Sequence, residues 1–165
     1  MSTADFTRLA PHLQPVDFGL GEILIAAGAK ATHAHFIESG LGSVVALTRE
    51  GHRIEVNIFG VEGLSAPGVP FGIDRSPLEH LIQVAGKGLR IPVAPLQAAV
   101  RDSAALTVLF HGYAQSCGVQ AAYTALTNAA YGIDRRLARW LLMCADRLGG
   151  QRMPLTHEFL SVMLG

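Results

Sequence analysis

A stretch without any acidic or basic side chain limits the folds available to this chain more than any other feature. Residues 103–133 contain no Lys, Arg, Asp or Glu. Asp102 and Ser103 are suited to capping a helix that continues to about Asn128, which is about 39 Å at 1.5 Å per residue. Because apolar or small residues occur nearly all round this helix, every side of it must be covered.

The need to cover every side of this helix predicts a homodimer. In a chain of 165 residues, one side of the helix can pack on the rest of the protein and the other side on a second copy. Apolar residues at spacings of three and four, with small residues in the middle, are typical of such helix pairs. The predicted interface consists of Leu109, Gly112, Ser116, Val119, Tyr123 and Leu126. A core helix in a monomer is the alternative.

Before residue 93 the sequence has the pattern of a β domain. Residues 53–58 alternate polar and apolar side chains, and residues 49–52 form a turn before them. Further short strands, separated by glycine turns, are predicted at residues 21–25, 34–39, 43–48, 78–85 and 88–91. Many short strands with glycine turns indicate a sandwich, a jelly roll or a barrel.

Helical signals flank the long central helix. Pro95 begins a short helix that ends at Arg101. Gly132 ends the long helix, and residues 133–148 form the next one, which carries an apolar face and stops at two glycines. A final helix is predicted to begin near Pro154 and to stop at Gly165.

Three stretches of the sequence resemble the Crp/Fnr family of bacterial transcription regulators. Residues 21–28 and 35–42 resemble the opening strands of its cyclic-nucleotide-binding fold. Residues 136–142 resemble the helix that joins the dimer helix to the DNA-binding domain, and residues 155–165 resemble the first helix of a helix-turn-helix. The resemblance implies an α+β fold: a cyclic-nucleotide-binding-like β-roll (jelly roll), a long dimerisation helix and the start of a winged helix-turn-helix.

The same resemblance divides the chain into three parts. Residues 1–101 are expected to form the β-roll sensor domain, residues 102–131 the dimerisation helix, and residues 132–165 an incomplete helix-turn-helix domain. The recognition helix would follow Gly165, so we expect these residues alone to read DNA poorly. In the full-length parent, a dimer would bind an operator whose half-sites lie about one helical turn apart. The predicted DNA contacts are Arg135, Arg136, Arg139, Arg152 and Thr156.

The ligand residues of the family also have counterparts in this chain. Cyclic AMP is held by a glycine–glutamate turn, whose carboxylate binds the ribose, and by an Arg-Ser pair that binds the phosphate. The corresponding residues are Gly60, Val61, Glu62, Gly63, Leu64, Arg75 and Ser76. Val61 replaces a glycine, the separation between Glu62 and Arg75 is longer than in the cyclic-AMP binders, and Pro77 follows the pair. We therefore expect another effector or none; a cyclic nucleotide is the alternative, and Arg75 would pair with Glu62 or Asp74 in an empty roll.

Enzyme and metal chemistry are not predicted. Cys117 and Cys144 are too few for an iron–sulfur cluster, and His33 and His35 lack a third metal ligand nearby. No P-loop, nucleophile elbow or zinc-protease motif occurs, so no catalytic residue, metal or cofactor is assigned. Two alternatives to the regulator are kept. One is a DNA-independent small-molecule binding module, and the other is a cupin-like metal enzyme that would use His33, His35, His52 and His80.

Composition predicts a cytoplasmic protein without membrane contact. Half of the residues are hydrophobic, 16% are charged, and the net charge is zero. No apolar run reaches the roughly 18–20 residues that a bilayer span needs. The N-terminus lacks the basic and then apolar order of a signal peptide.

Overall fold

The computed structural model describes residues 1–150 and Leu160. The strands of this described part are β1 (Gln14–Phe18), β2 (Ile23–Ile25), β3 (His33–Leu47), β4 (Arg53–Phe59) and β5 (Glu79–Pro92). Its α-helices are α1 (Thr3–Leu9), α2 (Val93–Arg101), α3 (Ala104–Ala130) and α4 (Ile133–Leu148). None of the described helices is both long and apolar enough to cross a membrane.

The strands form one antiparallel sheet that folds into the β-roll. Its order is β1-β5-β3-β4, and β2 also pairs with β5. Strands β3 and β5 pair along most of their length, and shifts in register beside Ser39 and Leu41 bend them. The core between the faces of the sheet consists of Phe18, Ile37, Val44, Phe59 and Ile82.

The predicted breaks in two of these strands are wrong. The segments predicted at 34–39 and 43–48 fall, except for residue 48, in the single strand β3, and those predicted at 78–85 and 88–91 fall, except for residue 78, in the single strand β5. A Cβ atom on Gly86 would lie 2.0 Å from the carbonyl oxygen of Ser39. Glycine at this position therefore allows two strands to approach closely and does not end either of them.

The predicted long helix and its cap are confirmed. Ser103 accepts a hydrogen bond from the backbone N–H of Leu106 (3.2 Å), and its hydroxyl donates to Asp5 (2.6 Å), which joins α3 to α1. Helix α2 begins at Val93, two residues earlier than predicted from Pro95.

Helix α4 packs back onto the sheet. Its apolar face forms a core with strand residues, which consists of Leu41, Ile58, Val84, Trp140, Cys144 and Leu148. Leu160 packs against this core and is the one described residue of the predicted helix at 155–164. The rest of that helix lies outside the described residues, as do Arg152 and Thr156.

Candidate ligand-binding cavity

A cavity of about 320 Å³ lies between the β-roll and the middle of α3. Its walls are mainly apolar, and they include Val56, Phe59, Leu64, Leu78, Ala114 and Ala121. The polar side chains on its wall include Arg75, Ser76 and His80. Pockets of this size and character are typical of small-molecule sites.

The predicted phosphate-binding pair lines this cavity. Arg75 is exposed, and its Nη1 donates to the carbonyl oxygen of Gly28 (3.1 Å). The expected pairing of Arg75 with Glu62 or Asp74 is wrong, because each carboxylate has another partner. Asp74 pairs with Lys30 (3.1 Å), and Glu62 pairs with a residue of α4.

That residue is Arg147, which was not identified from the sequence. Its Nε donates to Glu62 Oε1 (2.6 Å), and its Nη2 donates to Gln120 Oε1 of α3 (2.6 Å). A Cβ atom on Gly60 would lie 3.0 Å from the Cβ of Arg147, so the backbone of the turn and α4 are in close contact. Val61 is exposed at the tip of the turn.

The turn at residues 60–63 therefore packs on helices and does not reach the cavity. Its residues Val61, Glu62 and Gly63 line a separate apolar space of about 290 Å³ near α1. Leu64 lines both spaces. The structure brings Leu64, Arg75 and Ser76 together at the main cavity, whereas the predicted ribose-binding carboxylate is held elsewhere by α4.

Replacement of Gly63 by alanine should destabilise the chain by about 1–3 kcal/mol through overpacking. The new Cβ atom would lie 2.0 Å from the ring of Tyr113, whose hydroxyl donates to the Leu64 carbonyl oxygen (2.9 Å). Gly118→Ala on α3 is the matched control, since its Cβ would meet no atom within 4 Å, and it should be neutral or slightly stabilising. Urea unfolding measures the free energy of unfolding of both variants. Equal losses in the two would contradict the close contact between Gly63 and Tyr113.

His80 fixes the orientation of the Ser76 hydroxyl. Burial lowers the pKa of His80 to about 4, so its ring is neutral at pH 7. Nδ1 accepts the N–H of Ala66 (3.4 Å), which leaves the ring proton on Nε2, 3.2 Å from Ser76 Oγ. Ser76 Oγ also accepts the N–H of Leu78 (3.1 Å). With both lone pairs occupied, the Ser76 O–H is available to donate to a ligand.

Helix α3 is fastened to the wall of this cavity by hydrogen bonds. Asn57 Nδ2 of β4 donates to the Cys117 carbonyl oxygen (3.1 Å), and Gln120 Nε2 donates to the Ile58 carbonyl oxygen (3.0 Å). Together with the Tyr113 bond to the Leu64 carbonyl oxygen, these contacts hold one face of α3 on the β-roll. A molecule in the cavity would touch both the β-roll and this helix.

A neighbouring side of α3, about 100° round the helix from the side that faces the β-roll, is exposed in the single chain. The six residues predicted to form the dimer interface are all exposed: Leu109, Gly112, Ser116, Val119, Tyr123 and Leu126. A large apolar patch on a protein surface often marks an interaction site.

The arginines predicted to contact DNA lie where α4 meets the end of α3. The Arg135 guanidinium lies 5.3 Å from the ring centroid of Tyr131. Arg136 Nε donates to Asn128 (3.0 Å), and Arg139 Nη1 donates to the Thr124 hydroxyl (3.2 Å). These bonds join the two helices, and the assignment of the arginines to DNA stays a prediction.

The histidines of the cupin-like alternative are dispersed. The rings of His33 and His35 are 6.4 Å apart, and His35 Nδ1 is within hydrogen-bonding distance of Ser65 Oγ (3.1 Å). Within residues 1–150, no three His, Cys, Asp or Glu side chains are grouped so that they could hold a metal ion.

Comparisons with solved structures identify the fold. No family model matches the sequence, and no curated protein matches it. Among solved structures, CLP of Xanthomonas campestris, a c-di-GMP responsive global regulator, has a TM-score of 0.77 at 14% identity, over 99% of this chain and 85% of CLP. A Crp/Fnr-family regulator from Eubacterium rectale has a TM-score of 0.80 at 18% identity, over 100% of this chain and 77% of that one.

A third neighbour is FixK2 of Bradyrhizobium japonicum, with a TM-score of 0.72 at 16% identity, over 93% of this chain and 77% of FixK2. At these identities the likeness shows the fold alone. The chain has the α+β fold of Crp/Fnr regulators, with a cyclic-nucleotide-binding-like β-roll and a long following helix, as the sequence predicted.

Proposed function

We propose that this chain is the sensor and dimerisation portion of a Crp/Fnr-like transcription regulator. The observation that carries the proposal is the cavity between the β-roll and α3, the helix that also carries the exposed stripe of apolar and small residues. An effector in this cavity would act on the same helix that pairs the two subunits. Such an arrangement converts ligand occupancy into a change of subunit geometry.

In this proposal the three parts of the chain have separate roles. Residues 1–101 sense the effector, residues 102–131 form the dimer, and residues 132–165 begin the DNA-reading domain. The protein acts in the cytoplasm, binds an operator as a dimer and catalyses no reaction. The DNA-independent alternative would use the same cavity. Genomic DNA capture and sequencing with the protein separates the two: no enriched site would favour the alternative.

We propose an effector with an apolar body and one hydrogen-bond-accepting end. The acceptor would lie at the Ser76 hydroxyl and beside the exposed Arg75 guanidinium. Glu62 is turned to Arg147, so the carboxylate that a cyclic nucleotide would need for its ribose is absent from the cavity.

Calorimetry with simple probes tests this assignment. Octanoate has an apolar chain and a carboxylate, so we expect it to bind, whereas octylamine, cyclic AMP and cyclic di-GMP should not. Ser76→Ala should weaken octanoate binding about tenfold, which corresponds to one lost hydrogen bond to a charged group. Ser39→Ala is the control and should leave octanoate binding unchanged, because Ser39 does not line the cavity and its hydroxyl accepts the N–H of Lys87 (3.0 Å). Micromolar binding of cyclic AMP would contradict the proposed effector class.

A further inference from the structure

Glu55 is a buried carboxyl group at the contact between the sheet and α4. It lies on β4 and is 6% exposed. Its Oε1 accepts the indole N–H of Trp140 (2.6 Å), and its Oε2 lies 2.6 Å from the hydroxyl oxygen of Ser43. Trp140 belongs to α4 and Ser43 to β3, so the carboxyl group joins the sensor sheet to the helix that leads into residues 149–165.

The hydrogen-bond geometry around Ser43 accommodates a protonated Glu55. Ser43 Oγ lies 2.6 Å from Glu55 Oε2 and 2.9 Å from Gln83 Oε1. A serine hydroxyl has one hydrogen and can donate to only one of these two oxygens. A protonated Glu55 donates to Ser43, and Ser43 then donates to Gln83. This order satisfies Glu55, Ser43 and Gln83 with Gln83 Oε1 as the last acceptor, whereas an ionised Glu55 requires the Gln83 amide to turn so that its nitrogen donates to Ser43.

We propose that these four residues form a proton-dependent clasp between the sheet and α4, made of Ser43, Glu55, Gln83 and Trp140. The clasp holds α4 on the sheet while Glu55 is protonated and weakens when Glu55 ionises. The inference concerns the attachment of α4 and does not depend on an effector or on the dimer.

The charged groups near Glu55 do not cancel the effect of burial on its pKa. Other ionisable groups near it come from α4 and from β5: Arg147, Cys144, Arg136, Arg139 and Glu79. Arg147 favours the ionised carboxyl but is bonded to Glu62 and Gln120, and Glu79 is paired with Arg53. Burial also keeps Cys144 as a neutral thiol by raising its pKa to about 12. Burial dominates and raises the pKa of Glu55 to about 7 from its ordinary 4.5.

Release of α4 would expose Glu55 and return its pKa towards the ordinary value. The docked state therefore binds the proton more tightly than the released state, and by linkage the proton favours docking. Docking is strongest below about pH 4.5 and weakens as the pH rises to about 7. Opening of α4 should increase up to about tenfold for each pH unit in this window and level off above it.

Trp140 is the only tryptophan, so intrinsic fluorescence reports directly on the clasp. In the whole chain we expect a one-proton change in Trp140 emission with a midpoint near pH 7, absent from Glu55→Gln. Glu62→Gln removes the other acidic contact with α4 and should keep the midpoint. Hydrogen exchange in α4, corrected for the pH dependence of intrinsic exchange, should increase between pH 5 and 7 by up to about a hundredfold in the wild type only.

Two results would overturn the clasp. One is a Glu55→Gln variant that keeps the wild-type fluorescence midpoint, and the other is α4 exchange that is independent of pH in the wild type. Should the variant fail to fold, ¹³C NMR of the Glu55 carboxyl carbon gives its pKa directly in the wild type. A value below about 5.5 would also refute the proposal.

Discussion

Replacement of Trp140 by alanine is expected to lower the free energy of unfolding by about 3–5 kcal/mol, the range for a large buried aromatic. The indole is 3% exposed and packs in one core with Leu41 and Cys144. Its loss would leave a void under α4 and remove the N–H that Glu55 accepts. Urea unfolding followed by circular dichroism measures the change without relying on the indole.

Two variants separate the packing of Trp140 from its hydrogen bond. Trp140→Phe keeps much of the buried ring and should cost about 1–3 kcal/mol, mainly from the unpaired Glu55 oxygen. Leu142→Ala lies on the same helix at a position that is 67% exposed, and it should change stability by less than about 0.5 kcal/mol. Similar losses for Trp140→Ala and Leu142→Ala would show that α4 is not packed as described.

Replacement of Val119 by glutamate should raise the dissociation constant of the proposed dimer at least about a hundredfold. Val119 lies in the middle of the exposed apolar stripe of α3, where the partner helix would bury the new charge without a counter-ion. A hundredfold change corresponds to about 2.7 kcal/mol. Sedimentation velocity over a range of concentrations measures the constant.

Ala125→Glu is the matched control for the dimer. Ala125 is also exposed on α3, but none of its neighbours three or four positions away belongs to the stripe, so its glutamate should remain in water and leave the dimer intact. Circular dichroism should show equal helix content in both variants. Loss of the dimer in both would indicate general damage to α3, and its retention in both would exclude the stripe as the interface.

The helices could be predicted because their signals are local. Ser103 is followed by a long run without charges, and the structure places the cap of α3 at that residue. Gly149 adopts a left-handed conformation and ends α4, as glycine after an amphipathic run indicates. In both cases the deciding residue lies within a few positions of the feature that it controls.

The long strands could not be predicted because their glycines serve distant contacts. Gly42 leaves no room for a Cβ atom beside the ring of Phe59, and Gly86 leaves none beside Ser39. The partner of Gly86 is 47 positions away, so its close approach has no local signal. A glycine in a strand pattern can mark either a turn or such an approach, and the sequence alone does not distinguish them.

The candidate site was predicted in part. Arg75 and Ser76 line the cavity, as the resemblance implied, but Glu62 does not, because Arg147 of α4 holds it from 85 positions away. The contribution of His80 was also missed, although a histidine within the apolar run of β5 is a signal that could have suggested a buried polar contact. The burial of Glu55 could not be predicted, since a glutamate in an alternating strand is usually exposed.

The mass of the chain in solution tests the central claim most directly. The account proposes a sensor that acts through a dimer helix, so light scattering at tens of micromolar should give twice the 17.5 kDa of one chain. Val119→Glu should give a single chain under the same conditions, and Ala125→Glu should give the dimer. A wild-type chain that stays monomeric at these concentrations would contradict the account.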